Sequence, residues 1–417
     1  MALPLEGIRI VDFTWVAAGP VMTSQLCDMG AEVIKVESLR RLDYCRLMPR
    51  PDLAEDDPLN AFLDSGEPYD TVPLFHEYCR GKKSLTVDIK KAKGIELLKR
   101  IISKSDVVVD NFTPRVMSSI GLDYESLKVI KPDIIVLSTS AGGSYGPLSD
   151  LRAFAANITS MAGLEGIYGY RNEEPLGSLT FAVGDYYNAF HGAFAILAAL
   201  RYRNKSNKGQ FIDMCQIETT AGLLSEAFMD FFGNGRVMGT QGNYHPTMSP
   251  HGNYPCKGDD QWVSIAIKDE DEWRSLVEVM GTPQWSLAER FADRFGRLKN
   301  RNDLDKKLAG WTRCFAKEEV TRMLQEKGVA AMGVQSITEL KDKDPHAEAR
   351  NSRVESMHPK LSGSLRLQSS PVRLSKTPAR IKRLGPLLGE HNYEVMMDIA
   401  GLSENEVDLL IEEEVLF

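Results

Sequence analysis

The sequence predicts an α/β protein: a doubly wound parallel, Rossmann-like sheet in a large domain, accompanied by a second, smaller α+β domain. Three observations carry that prediction. Short apolar runs of strand length alternate with amphipathic helical segments through the first half of the chain, the pattern of a parallel sheet covered on both faces. Composition shifts near residue 240 to a stretch rich in Gly, Pro and Asn. At 417 residues, 43% of them hydrophobic, the chain exceeds one ordinary domain and has the apolar side chains for two cores.

Taken in order, "IRIVDF" (Ile8–Phe13) reads as a strand, "GPVMTSQLCDMGA" as a helix and "EVIKVE" (Glu32–Glu37) as a second strand. A polar, Pro-rich stretch covers about residues 50–73. Beyond it "SLTVDI", "VVVDNF" and "DIIVLSTS" read as strands, with "KAKGIELLKRIISKSD" as a helix between the first two. An apolar segment, Tyr186 to Leu200, predicts a long helix, and "QFIDMC" a further strand, so residues 1–225 form the N-terminal part of the large domain. Residues 240–340 read as the small domain: "GNYHPTMSPHGNYPCKGDDQWVSIAI" ends in a strand, and "DEDEWRSLVEVMG" and "KEEVTRMLQEKG" are helical. In 345–417, "VESMHP" and "SSPVRLS" read as short strands and "EHNYEVMMDIAG" and "ENEVDLLIEEEVL" as helices. This segment is expected to return to the large domain.

Charge and composition exclude several classes. Fifty basic against 58 acidic residues give a net charge of −8 without long like-charged blocks, so no nucleic-acid partner is expected. The start "MALPLEGIRIVDF" lacks a signal peptide's basic and apolar regions, and no uninterrupted apolar run is long enough to cross a bilayer, so a soluble, cytoplasmic protein without membrane contact is expected. The six cysteines stand singly, with no C-x-x-C pair and no His at metal-ligand spacing; reduced thiols and no metal are expected. His191, on the apolar segment, reads as a core residue.

A doubly wound sheet invites a nucleotide at the carboxyl ends of its strands. The first strand-to-helix turn, "DFTWVAAGPV", is not G-x-G-x-x-G, and no G-x-x-x-x-G-K-[ST] occurs, which leaves loop backbone and separate cations to hold one. "YCRGKKSLTVDIKK" offers Arg80, Lys82, Lys83 and Lys90, or is a solvated face. One acid stands out. Asp185 follows Val183-Gly184 and opens the apolar helix, where it can act as the N-cap. Burial raises a carboxylate pKa while a helix N-terminus favours the anion, so the same residue can be a poorly solvated nucleophile.

"PLEGIRIVDFTWVAAGP", "GAEVIKVE", "GKKSLTVDIKKAKGIELLKRIISKSDVVVDNFTP", "GDYYNAFHGAFAILAALRYRNKSNKGQFIDM" and "GPLLGEHNYEVM" together resemble the class III CoA-transferases, the CaiB/BaiF family, nearly end to end and in order. The resemblance implies two domains joined by linkers, in an interlocked dimer. It makes Asp185 the nucleophile that passes through an aspartyl anhydride and an aspartyl-CoA thioester, with coenzyme A entering as acyl-CoA substrate and no further cofactor. It places Val16, Ala17 and Ala18 by the active site, Val87, Asp88, Ile89 and Lys90 with Asn111, Phe112 and Thr113 around the nucleotide, and Arg152 near the phosphates. Arg40 and Lys83 are candidate contacts as well. Ser38, Ser119 and Phe154 depart from residues common in relatives, Arg, Arg and Tyr respectively. Weaker phosphate contacts, or a paralogous subunit completing the site, would follow, so the partner is a second copy or such a subunit. The family's glycine-rich loop over the active site matches "MSPHGNYPCKGDDQW", which has only Gly252 and Gly258.

From the family, the expected reaction moves CoA from a succinyl-CoA-like donor to a carboxylic acid, aromatic or dicarboxylic, such as benzylsuccinate. Trp15, Tyr186, Tyr187, Phe228 and Met229 would supply apolar walls, if they are not simply core. Two alternatives stand beside it. A related α-methylacyl-CoA racemase needs a second base, a His before the nucleophile helix, and none occurs from Leu151 to Leu164. A noncatalytic CoA-binding subunit of a hetero-oligomeric transferase would have no need to keep Asp185.

Overall fold

Strands with apolar side chains on both faces need helices on either side to bury them. The computed structural model, which describes residues 2–49, 51–55, 57, 59–177, 181–342 and 344–417, has such a sheet. Its strands are β1 (Arg9–Asp12), β2 (Glu32–Glu37), β3 (Lys83–Thr86), β4 (Val107–Asp110), β5 (Ile135–Ser140) and β6 (Gln210–Cys215). They lie in the order β3-β2-β1-β4-β5-β6 with every pair parallel. The order reverses between β1 and β4, the switch point of a doubly wound sheet.

Successive residues leave a strand on opposite sides. Ile10, Val33, Val107, Val109, Ile135 and Leu137 therefore enter one core with Met22 and Leu26 of helix Ala18–Asp28 and Ala189 and Ile196 of helix Val183–Ser206. Val11, Ile34, Leu85, Val108 and Val136 enter the other with Leu98 and Ile101 of helix Ala92–Ile102 and with Val395, Met396, Val407 and Leu410 near the C-terminus. Helices Ala18–Asp28 and Val183–Ser206 meet at Gly192, where a Cβ would lie 2.2 Å from the end of the Met22 side chain, which would have to move aside.

The chain divides into two compact units: Met1–Leu164 with Ser178–Ser225 and Glu348–Phe417, and Glu165–Gly177 with Glu226–Ala347. Strands β7 (His251–Pro255), β8 (Trp262–Ala266) and β9 (Ala330–Gly333) form an antiparallel sheet in the second unit, over a core that includes Val263, Ile265, Leu276 and Phe291. Residues 165–177, read from sequence as part of the large domain, belong to this second unit.

Some local expectations need correction. The run "SSPVRLS" is not a strand; β10 (Arg353–Ser356) pairs instead with β11 (Leu365–Gln368), which ends before Pro371. β3 stops at Thr86 because the chain turns at Asp88, whose Oδ1 accepts the Lys90 N–H at 2.9 Å. His191 is exposed, its Nδ1 2.9 Å from the Tyr187 carbonyl oxygen. The Asp185 helix is not buried all round: Phe190, Phe194 and Leu197 stand exposed along one side. Residues 50, 56 and 58 of the Pro-rich stretch lie outside the described residues.

Candidate active site

Parallel strands all end on the same edge of the sheet, so their following loops converge there. In the first unit each contributes to one cavity of about 1150 Å³. The turn after β1 supplies Trp15, Val16, Ala17 and Ala18; the loop after β2, Ser38, Arg40 and Arg41; the loop after β3, Asp88, Ile89, Lys90 and Lys91. Asn111, Phe112 and Thr113 follow β4, Ser140 ends β5 with Ala141 after it, and Gln216 follows β6. Ser119, Arg152, Phe154, Ile158 and Asp185 close the wall.

The first turn is strained and held. Val16 has φ 65°, a left-handed conformation that a β-branched residue rarely adopts. Hydrogen bonds over-determine it. The Val16 N–H donates to Asp43 Oδ1 at 3.0 Å, while Asn111 accepts from the Trp15 N–H at 2.9 Å and donates to the Trp15 carbonyl at 2.8 Å. Lys35 Nζ donates to the Thr14 carbonyl at 2.7 Å and to Asp43 at 2.9 Å. Helix Ala18–Asp28 then starts without a side-chain cap, as does helix Ala92–Ile102 at Lys91. Uncapped N–H groups with a positive dipole end suit a phosphate or carboxylate.

The cavity is electropositive. Arg40 pairs with Glu414 at 2.6 Å and Lys91 donates to the Glu413 carbonyl, but Arg41, Lys90 and Arg152 form no ion pair with any described residue. The Arg41 guanidinium lies 4.9 Å from the Trp15 ring centre, a cation–π contact. At over 1000 Å³ the cavity exceeds the usual range of roughly 300–1000 Å³ for small-ligand pockets, which suits a long anionic ligand.

Asp185 is the third residue of helix Val183–Ser206; Ala182 holds the N-cap position and makes no side-chain cap bond. The reading of Asp185 as the cap is therefore corrected. Asp185 as a residue is 9% exposed, its carboxylate hydrogen-bonds to no described residue, and burial alone pushes its pKa up to about 6. An ionised group at neutral pH with neither cation nor donor to quieten it is a reactive one. Asp110, beneath the Asn111–Thr113 wall, is also pushed up by burial, to about 7, against hydrogen bonds from the Phe112 N–H and Ser138.

Of the residues singled out from sequence, Val16, Ala17, Ala18, Arg40, Asp88, Ile89, Lys90, Asn111, Phe112, Thr113, Arg152 and Asp185 line this cavity. Val87 and Lys83 do not. Val87 is buried in the core, and Lys83 stands at the opposite, amino end of β3, bound to Glu32 and Glu394. Arg80 and Lys82 are not free cations either: Arg80 is buried against Asp28, and Lys82 against Asp12 at 2.9 Å. All three departures from the family pattern, Ser38, Ser119 and Phe154, face the cavity. Trp15 is an apolar wall, but Phe228 and Met229 belong to the second unit. "HGNYPCKGDDQWVSIA" is a β7–β8 hairpin in that unit rather than a glycine-rich loop. Sequence reasoning missed Ser140, Gln216 and Lys91, although Ser140 ends β5, Gln216 directly follows β6 and Lys91 closes the loop between β3 and its helix, all at the sheet's carboxyl edge, a sufficient signal in this fold. Among the described residues no His lines the cavity, no group of His, Cys, Asp and Glu suits a metal ion, and no helix is long and apolar enough to cross a membrane.

Comparison with known proteins identifies the family and the fold. The family model "CoA-transferase family III" matches residues 5–392. A succinyl-CoA--D-citramalate CoA-transferase of Chloroflexus aurantiacus is 30% identical over 98% of this chain and 96% of its own length. The alpha subunit of a succinyl-CoA--L-malate CoA-transferase from the same organism is also 30% identical, over 98% of this chain and 91% of its length. The crystal structure of a CaiB/BaiF family protein from Brucella suis superimposes with a TM-score of 0.85 at 28% identity, covering 96% of this chain and all of that one. With the match running almost the whole length, the chain belongs to CoA-transferase family III and is a CoA-transferase.

Proposed function

We propose that this enzyme moves CoA from succinyl-CoA to a short dicarboxylic acid through covalent intermediates on Asp185. A carboxylate oxygen of Asp185 attacks the thioester carbonyl, the C–S bond breaks, and CoA thiolate leaves an acyl-aspartyl anhydride. The thiolate attacks the Asp185 carbonyl carbon of that anhydride, releasing the donor acid and leaving an aspartyl-CoA thioester. The acceptor carboxylate displaces the thiolate from Asp185, giving a second anhydride. Thiolate attack on its acyl carbonyl releases the new acyl-CoA and restores Asp185. No net proton is consumed, so the route needs a nucleophile and donors to the oxyanion rather than a base.

The observation that carries this reading is Asp185 itself: buried, unpartnered among the described residues and lining the cavity to which all six parallel strands contribute. Arg40, Arg41, Lys90, Lys91 and Arg152 supply the positive lining that CoA phosphates call for. The relatives' names, D-citramalate and L-malate, support a dicarboxylic acceptor. Trp15, Phe112 and Phe154 in the wall also suit an aryl-substituted one such as benzylsuccinate. The exposed stripe Phe190, Phe194 and Leu197, on the same helix as Asp185, supports assembly with a second chain, either another copy or a paralogous subunit like the alpha subunit named above. The test is purified protein, alone, with succinyl-CoA and each of D-citramalate, L-malate and benzylsuccinate, following new CoA thioesters chromatographically. Transfer to at least one of these acids is expected, lost in Asp185→Ala. Turnover that survives the substitution contradicts the reading, and activity only on adding a paralogue makes the chain one half of a hetero-oligomer.

A further inference from the structure

Three consecutive side chains at the carboxyl end of β5 have different fates. The Ser138 hydroxyl donates to Asp110 at 3.1 Å, and Thr139 is hydrogen-bonded with Asn188 at 3.0 Å. Ser140, 5% exposed, bonds to no described residue and lines the cavity. Across the β5–β6 pair Ser140 stands opposite Cys215, and the next residue is Gln216. Gln216 is 6% exposed, its carboxamide is likewise without a partner among the described residues, and it lines the same cavity. Neither polar group is sealed from the cavity, unlike the partnerless Thr220 hydroxyl nearby, so the hydroxyl and the carboxamide stand open to a ligand's oxygens.

The fold keys both groups to Asp185. Asn188, one turn along the same helix, bonds to Thr139, the residue before Ser140, and its Oδ1 accepts from Thr219, in the helix that Gln216 begins, at 3.2 Å. A Cβ on Gly184, beside Asp185, would lie 2.8 Å from the Thr220 hydroxyl, one turn beyond Gln216. The Asp185 helix, the end of β5 and the start of the Gln216 helix are thus packed against one another around the reacting carboxylate.

We propose that Ser140 and Gln216 together bind the reacting carboxyl group of the acid substrate, the hydroxyl and the amide NH₂ each donating to one of its oxygens. The inference rests on Asp185 being the nucleophile. Neutral donors suit this role, because the bound group alternates between carboxylate, anhydride and thioester, and a fixed cation would hold the anion too tightly to let it react. The binding site for CoA is elsewhere in the cavity, on its cationic loops, so the two can be perturbed separately.

The experiment measures exchange of radiolabelled succinate into succinyl-CoA by the full-length protein, with free CoA as inhibitor. Ser140→Ala and Gln216→Ala are each expected to raise the KM for succinate about tenfold or more, the effect of losing a hydrogen bond to a charged group. The inhibition constant of free CoA should stay unchanged, which also reports an intact fold. Gln216→Glu, nearly isosteric, should raise the succinate KM further than Gln216→Ala, because it sets a second carboxylate against the incoming one. A purely structural role would reverse that order. Unchanged succinate KM values, or the reversed order, overturn the proposal. Failure of the underlying reading looks different: the wild-type enzyme would then exchange no label, or would resist inactivation by hydroxylamine in the presence of succinyl-CoA.

Discussion

Two buried aspartates lie in the same unit, and their surroundings could hardly differ more. Asp12, at the end of β1, is fully buried; burial opposes its charge, but Lys82 at 2.9 Å, nearby Lys35 and the hydroxyls of Thr14 and Thr23 hold its pKa down to about 2. Asp185 has no such company, and burial pushes it up to about 6. The first carboxylate is saturated with donors and fixes architecture: through Thr14 and Lys35 its network carries the strained Val16 turn. The second is left unsatisfied. Unsaturated charge is what a nucleophile needs and what a scaffold avoids.

That contrast can be broken at several points. The largest effect is on turnover: Asp185→Asn should reduce CoA transfer by on the order of 10⁴-fold or more, as for other covalent nucleophiles, measured as CoA-thioester formation. Next is stability at the other site. Asp12→Asn leaves Lys82 buried without its ion-pair partner, while Lys35 keeps Asp43, and should cost about 3–5 kcal/mol in urea unfolding at neutral pH. The opposite sign is expected at Asp185. Its folded pKa lies above the ordinary 3.8, so its favourable contribution is present below about pH 4 and lost as pH rises through about 6. Asp185→Asn should therefore stabilise the ligand-free protein at pH 7 by about 2–3 kcal/mol, and by little near pH 4. Asp12 behaves inversely: its contribution is present above about pH 4 and lost as pH falls through about 2.

The same titration should appear in the kinetics. kcat/KM for the acyl-CoA donor should be level at neutral pH and fall below about pH 6 as Asp185 takes up its proton, giving the profile of a single essential base form. A profile flat down to about pH 4.5 would place the nucleophile's pKa, and its lack of solvation, in doubt. The smallest effect is at the exposed rim: Arg41→Ala, which loses a cation–π contact with Trp15, should raise the KM for acyl-CoA by roughly fivefold at most.

Much of this arrangement is legible in the sequence, for identifiable reasons. β2 matches "EVIKVE" residue for residue, and a parallel sheet covered on both faces follows from strands alternating with helices, whereas the strand order does not. Asp185 is visible because a single acid opens an apolar helix. Pairing is what hides. Arg80, Lys82 and Lys83 read as cations available to a phosphate, and only the tertiary fold shows each spent on a carboxylate: Asp28, Asp12, and Glu32 with Glu394. Ser140 and Gln216 are hidden by the reverse logic, since what marks them is the absence of a partner. The exposed face of the Asp185 helix is hidden too, because apolar residues all round read as burial within one chain, where the structure leaves Phe190, Phe194 and Leu197 open.

The most direct test of the central claim is chemical trapping of Asp185. An ordinary carboxylate is inert to hydroxylamine, whereas an anhydride or thioester made from it is an activated acyl group. Purified enzyme incubated with succinyl-CoA and then hydroxylamine should lose activity, and mass spectrometry of the peptide spanning Val183 to Arg201 should show Asp185 converted to its hydroxamate only when the acyl-CoA was present. An unmodified peptide from enzyme that is turning over would contradict the account and move the chemistry to proton transfer at this site.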